Sequence, residues 1–516
     1  MTAAGKLCLL LAVITVSGFG FSRSALSSAR ALVVGMDSYA EVGNLDGAVA
    51  DAKDVAAALK KIGITPTLLL DRNASREAIF QTWDDMVSAS APGDLLIFTY
   101  AGHGSREQIG NPAKDMANVL VLSGFTEGRP GNRERIFGAE IHERFAKVPA
   151  DRNILFLVDS CHSGTMYREF DARAKVGRSR FASYRRIKDD ELPPPPGKTV
   201  EHSYLPNLFF YSASTETEKT PEIPIDGRYR GALSWSFSRG IEGGADANRD
   251  GIITHGELQS YLYQRVKELS GEQQHPQAEP MGRHTEAVIQ LASSPARPAA
   301  PVSVIEVNLA AFDASGEVAA ERISALGLVG VTPVARTEVP DLTLDVDRRE
   351  MLSATGDVVA TGVPLAEASL SPILDKWRLI KSIKLGASPA PLRLDLAAGE
   401  GRHREGERLH LSISDRKLPY MLVLVLCADG TVNVIYPSAR ETPEVTAAVL
   451  AFDVKPIAPF GADHIVAVAT DRAPIALRGL LQQRDGQPLT KELTKALLAT
   501  LSGNYQVGTQ SIYTSR

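Results

Sequence analysis

Three cysteines in 516 residues is a low count. Cys8 sits in an apolar N-terminal run, which leaves Cys161 and Cys427 far apart and outside any C-x-x-C spacing. That excludes a disulfide framework and a thiolate zinc site. Charge of one sign is also lacking: 56 Lys and Arg against 61 Asp and Glu give a formal net charge of -5. No long basic stripe occurs, so no nucleic-acid partner is expected. Beyond the N-terminus no apolar run approaches transmembrane length. Several hydrolase signatures are missing too. His142-Glu143 has no second histidine, Gly197-Lys198 has no phosphate-loop context, and no G-x-S-x-G elbow appears.

The composition, 44% apolar and 23% charged, suits a soluble chain of two or three domains. Residues 1–28 read as a signal peptide: Lys6, an apolar run over 7–16 broken only by Thr15, then small residues over 17–28. Export to a periplasm or the outside is the expectation. An uncleaved segment would instead be an anchor and the chain's one contact with a membrane.

From residue 31 continuous apolar segments alternate with helical periodicity. Strands are expected at 31–35, 67–70, 94–100, 119–122, 153–159, 207–212 and 286–291, and helices at 46–62, 75–90, 138–146, 232–241 and 254–269. This predicts an α/β fold with a doubly wound, mostly parallel sheet and helices on both faces, over residues 29–291. The basic, proline-containing stretch 165–203 interrupts the rhythm and reads as an exposed connection. Residues 292–304 read as a linker. Residues 305–516 read as a β-rich C-terminal domain, with strands near 342–346, 392–396, 408–414, 420–427 and 431–436 and a late helix at 489–501.

Two loops carry chemistry. YAGHGS (100–105) and DSCHSG (159–164) each follow an apolar strand directly, so both leave carboxyl ends of parallel strands, where open α/β sheets bind ligands. A thiol with a pKa near 8.5 is only slightly ionised at neutral pH, and an imidazole can take its proton. His103 and Cys161 are thus the candidate catalytic pair. The backbone amides of Gly104 and Cys161 are candidate oxyanion donors. His162 is expected to point away from its neighbour, His202 and His275 read as surface residues, and Cys427 reads as core.

These two motifs resemble those of the caspase-like cysteine peptidases, and DSCHSG is most similar to the metacaspase and bacterial caspase-homologue branch. ALVVGMDSY (31–39), LDGAVADAKDVAAAL (45–59), FFYSAST (209–215) and GALSWSF (231–237) fit the same branch. The resemblance spans residues 31–291. It implies a cysteine endopeptidase acting after Arg or Lys on protein or peptide substrates, with Asp51 and Asp159 lining the pocket for the basic side chain. Charge-assisted hydrogen bonds give that pocket its physical sense. Ala48 stands where the family has a cysteine. The motif around Cys161 differs from that of animal caspases, which argues against cleavage after Asp. With basic specificity, Arg173, Lys175, Arg178, Arg180, Arg185, Arg186 and Lys188 become candidate self-cleavage sites, the alternative being a merely solvated basic linker. A catalytically silent binding module of the same fold is the alternative function.

Residues 246–257 (DANRDGIITHGE) match the twelve-residue EF-hand loop. Asp246, Asn248, Asp250 and Glu257 fall at side-chain ligand positions, Ile252 at the backbone-carbonyl position and Thr254 at the water-mediated one. The chemistry itself requires no cofactor, and calcium is the ion this loop would take. The alternative is a loop that only caps the following helix. Residues 397–470 also resemble a β-rich domain found attached to bacterial caspase-like proteins.

Overall fold

The computed structural model describes residues 28–109, 115–161, 178–184, 187, 190, 192, 204–215, 218–291, 305–335, 338–354, 356–386, 391–397, 402–438, 441–501 and 504–515. Residues 1–27, 162–164, most of 165–203 and the whole 292–304 linker carry expectations that lie outside these residues.

The chain opens with strand β1 (Ala29–Gly35), helix α1 (Ala48–Lys61), strand β2 (Pro66–Leu70), helix α2 (Arg76–Ser88) and strand β3 (Leu95–Ala101). A three-stranded sheet follows, made of β4 (Gly104–Ile109), β5 (Asp115–Val121) and β6 (Arg135–Phe137). Helix α3 (Gly138–Phe145), strands β7 (Asn153–Asp159), β8 (Leu208–Ser212), β9 (Ile223–Ile225) and β10 (Arg228–Arg230), and helix α4 (Ala232–Arg239) come next. Strand β11 (Ile252–Thr254), helix α5 (His255–Ser270) and strands β12 (Gln277–Glu279) and β13 (Ala287–Gln290) complete this part.

The main sheet has the order β12-β8-β7-β3-β1-β2. Every pairing in it is parallel except β12 with β8. The apolar strands fold this way because both faces are covered. Val33, Ile97, Leu155 and Phe209 pack against α1, α4 and α5. Their chain neighbours Leu32, Phe98 and Phe156 pack on the other face against α2 and α3, around Trp83 and Phe145. Ser75 caps α2 by accepting from the Ala78 amide at 3.2 Å.

Two expectations need correction here. The segment expected as the last strand, 286–291, pairs with β11 in a separate two-stranded ribbon. The sixth strand of the main sheet is β12, whose three residues QAE are half-exposed or exposed and carry no apolar run. Strand β5 is also more than an extra strand: it is the centre of the β4-β5-β6 sheet.

From residue 305 on, sheets dominate. One contains Val307–Asp313, Leu342–Asp345, Glu350–Ser353 and Val358–Thr361, and another Tyr420–Leu426, Thr431–Tyr436, Ala462–Thr470 and Tyr505–Ser515. Between them lies the helix α6 (Glu367–Leu385). The late helix, Lys491–Thr500, is capped by the Thr490 hydroxyl. Helix α5 ties the two halves together through buried polar contacts. Gln264 donates to the Thr509 carbonyl at 3.2 Å, and Glu268 accepts from the Thr509 amide at 2.8 Å while pairing with Arg265 at 2.7 Å. No helix among the described residues is long and apolar enough to cross a membrane.

Candidate active site

Strands β3 and β7 are adjacent and in register, with Ala101 opposite Asp159. Their carboxyl ends therefore bring the His103 and Cys161 loops side by side. Cys161 is completely buried and His103 is 4% exposed. The His103 Nε2 lies 2.6 Å from the Gly43 carbonyl oxygen. A carbonyl only accepts, so Nε2 carries the proton and Nδ1 the lone pair. Burial lowers the His103 pKa, with the Gly43 carbonyl pulling the other way, so the ring is a neutral base at neutral pH. The backbone is held as well: the Tyr39 hydroxyl accepts from the His103 amide at 2.8 Å, and the Tyr39 and His103 rings lie 4.7 Å apart. The Cys161 thiol donates to the Glu218 carbonyl at 3.4 Å.

Residues 178–182 pass directly through this site. The Arg180 carbonyl oxygen accepts from the Gly104 amide at 2.9 Å and from the Cys161 amide at 3.2 Å. Before it, the chain pairs with residues 220–222: the Arg180 amide donates to the Thr220 carbonyl at 3.0 Å, and Glu222 donates to the Arg178 carbonyl at 2.8 Å. After it, the Ala182 amide donates to the Gly104 carbonyl at 2.9 Å. The 180–181 peptide bond is thus laid across the thiol's loop with its oxygen on the two candidate oxyanion amides.

The Arg180 side chain is fully buried in an acidic pocket. Its Nη1 lies 3.1 Å from Asp159 Oδ1, its Nη2 is paired with Asp51 Oδ2, and the same nitrogen lies 3.3 Å from Glu222 Oε1. All three carboxylates are themselves held by helix N-termini, where backbone amides and the dipole favour negative charge. Asp51 accepts from the Gly231 amide at 2.8 Å and Asp159 from the Ser234 amide at 2.8 Å, both at the start of α4. Glu222 accepts from the Asp46 and Gly47 amides at 2.8 and 2.9 Å, at the start of α1. Burial pushes Asp51 up to about 8, Arg180 opposes this, and the like charge of Asp159 adds to it. Burial likewise raises Glu222. The pocket therefore gathers like charges, and Arg180 is the cation that offsets them. Gly231 closes one wall: a Cβ there would meet Asp159 Oδ2 and Arg180 Nη1.

The structure brings together His103, Cys161, Gly104, Asp51 and Asp159. Reading 165–203 as exposed fails for Arg180, which is buried because its guanidinium is matched by three carboxylates. Glu222 escaped the sequence reading. Its segment TPEIP looks like a turn, and only the pairing with 178–180 reveals its place. His275 is not a surface residue: it is 6% exposed and its Nδ1 lies 2.8 Å from Glu218 Oε1. That pair anchors the loop whose carbonyl meets the thiol. Cys427 is half-buried beside the Lys376 chain, and burial pushes its thiol up to about 11, far from a reactive thiolate.

The 246–257 loop lies apart from this pocket. The Asp250 amide lies 3.2 Å from Asp246 Oδ1 and 2.9 Å from Asn248 Oδ1, and the Gly251 amide donates to Asp246 Oδ2 at 3.0 Å. Glu257 reaches back to the Thr254 amide at 2.9 Å, and the Thr254 hydroxyl accepts from the Glu257 amide, so the pair also caps α5. Ile252 sits in β11. The like charges of Glu257 and Asp250 raise Asp246, after burial as the first cause. Oxygen donors of this kind suit a hard cation. Among the described residues, however, no three His, Cys, Asp or Glu side chains meet in metal-holding geometry.

Residues 29–169 match the family described as Metacaspase, peptidase C14 domain. Metacaspase-2 of Trypanosoma brucei brucei is 26% identical over 150 residues, which is 27% of this chain and 42% of that protein. Metacaspase-6 of Arabidopsis thaliana is 27% identical over 161 residues, 29% of this chain and 41% of that protein. The chain thus spans about two-fifths of the length of these relatives. Among solved structures, the Drosophila initiator caspase Dronc is similar at 11% identity and a TM-score of 0.32, covering 56% of this chain and 95% of that one.

Proposed function

We propose that the caspase-like, metacaspase-family domain seeded by residues 29–169 is an Arg/Lys-directed cysteine endopeptidase whose first substrate is its own Arg180–Phe181 bond. One observation supports this above the others. Arg180 has its side chain among Asp51, Asp159 and Glu222 and its carbonyl on the Gly104 and Cys161 amides, as this reading requires of a cleaved residue.

The chemistry follows from these positions. His103 takes the thiol proton on Nδ1 while its Nε2–H stays on the Gly43 carbonyl, which fixes the tautomer. The Cys161 sulfur attacks the Arg180 carbonyl carbon, and the oxygen becomes an oxyanion between two amides already aimed at it. The bond to the Phe181 nitrogen breaks, and His103 returns its proton to that amine. Water, deprotonated by the same imidazole, then opens the thioester. The products are the Arg180 carboxylate, the Phe181 amine and the free thiol.

Three carboxylates arranged around a planar fork favour Arg over Lys, since only a guanidinium reaches all of them. Calcium belongs to the same reading as a modulator: Asp246, Asn248, Asp250, Glu257, Thr254 and the Ile252 carbonyl would hold it, at a distance from the reacting bond. The test is hydrolysis of fluorogenic peptides with Arg, Lys or Asp before the scissile amide, with and without calcium, by the native and Cys161→Ala chains. The order Arg above Lys, no hydrolysis after Asp, and no activity in Cys161→Ala are expected. Hydrolysis that survives the substitution would remove the proposal.

A further inference from the structure

Beyond the scissile bond the chain alternates: Ala182 and Tyr184 turn onto the protein and Ser183 faces out. Phe181 pairs with Gly104 in a parallel bridge, and residues 182–184 lie on the β4-β5-β6 sheet. Ala182 is 2% exposed and belongs to an apolar cluster with Ala117, Val119, Val121, Phe125 and Phe137. Both of its backbone groups are fixed: the amide by the Gly104 carbonyl, and the carbonyl by the Ser105 hydroxyl at 2.8 Å. A β-carbon fits this closed space, and the fixed backbone cannot retreat to admit more.

Ser183 is exposed. Tyr184 returns to the sheet. Its ring lies 4.7 Å from the Phe125 ring, and its hydroxyl donates to Glu107 Oε1 at 2.6 Å. That carboxylate is held in turn by Arg135, whose fully buried guanidinium donates to the same oxygen at 2.7 Å. Arg135 also lies 2.5 Å from Asp190. A buried arginine fixing one acceptor for an incoming hydroxyl is more than packing requires.

We propose that the β4-β5-β6 sheet is a substrate subsite on the leaving-group side. It selects a small residue second after the cleaved bond and an aromatic residue, best a tyrosine, fourth after it. The substrate class is an extended segment of the form Arg, any residue, small, any residue, aromatic, and the chain's own RFASY is its built-in example. This deepens the endopeptidase reading and rests on it.

The test has a cis and a trans arm. In the full chain, Ala182→Trp and Tyr184→Ala are each expected to slow appearance of the 180–181 break at least tenfold, with Tyr184→Phe in between. In trans, the self-processed native protein is given internally quenched peptides containing RFASY, RFWSY or RFASA. It is also given a peptidyl-arginine anilide, which has no residue after the cleaved bond. The RFASY peptide should exceed the other two at least tenfold in kcat/KM. Equal rates among the three peptides and among the cis variants, with the anilide hydrolysed, would overturn the subsite alone. An anilide and peptides all left intact would overturn the subsite and the peptidase reading together.

Discussion

Replacing Arg180 with glutamine is expected to stop self-cleavage while leaving the chain able to hydrolyse a small peptidyl-arginine substrate. Removing one partner of a buried ion pair costs about 3–5 kcal/mol, which sets a loss of at least about a hundredfold in the cis rate. Glutamine also leaves Asp51, Asp159 and Glu222 without their cation, so the pocket is open to another guanidinium. A substrate arginine supplied in trans provides one. Arg180→Lys retains a point charge without the fork and is expected to fall about tenfold in cis. Time courses on denaturing gels, run beside a fluorogenic assay, separate the two readouts. Cleavage at the native rate in Arg180→Gln would show that the pocket does not select the bond.

Gly231→Ala is the second large effect. Its φ of -82° is open to any residue, so conformation is not the issue. Space is the issue: the added methyl would stand against Asp159 Oδ2 and Arg180 Nη1. Both atoms are fixed, the carboxylate by the Ser234 amide and the guanidinium by its ion pairs. Overpacking of this kind costs about 1–3 kcal/mol, an expected loss of about tenfold to a hundredfold for cleavage after Arg in cis and in trans. Because the methyl narrows the pocket rather than removing charge, a longer P1 side chain should suffer more than a shorter one. An Arg-to-ornithine comparison in peptide substrates checks this. Unchanged kcat/KM for the arginine peptide would contradict the pocket's geometry.

How much of this was legible in the sequence differs by residue. The parallel strands β1, β2, β3, β7 and β8 and the two loops were, because continuous apolar runs and the glycines flanking His103 are local signals. The pairing of His103 with Cys161 followed from both loops leaving parallel strands. Arg180 was not legible beyond its basic charge. Its burial depends on Asp51, 129 residues earlier, and a basic run rich in solvated neighbours gives no hint of which member turns inward. Glu222 and Gly231 act through contacts made only when β9, β10 and the start of α4 fold over the pocket. The Gly43 carbonyl, which sets the histidine tautomer, is a backbone group that no residue type marks. Helix α6 carries Pro372 in its second turn, where proline in a sequence marks a break rather than a helix.

The central claim is that Cys161 cleaves the bond carried by Arg180, and intact mass with N-terminal sequencing of the purified chain tests it most directly. The native protein is expected to yield a fragment beginning Phe181-Ala182-Ser183-Tyr184, and Cys161→Ala to remain one chain under the same conditions. Equal nicking in both proteins, or native cleavage elsewhere with the Arg180–Phe181 bond intact, would contradict it.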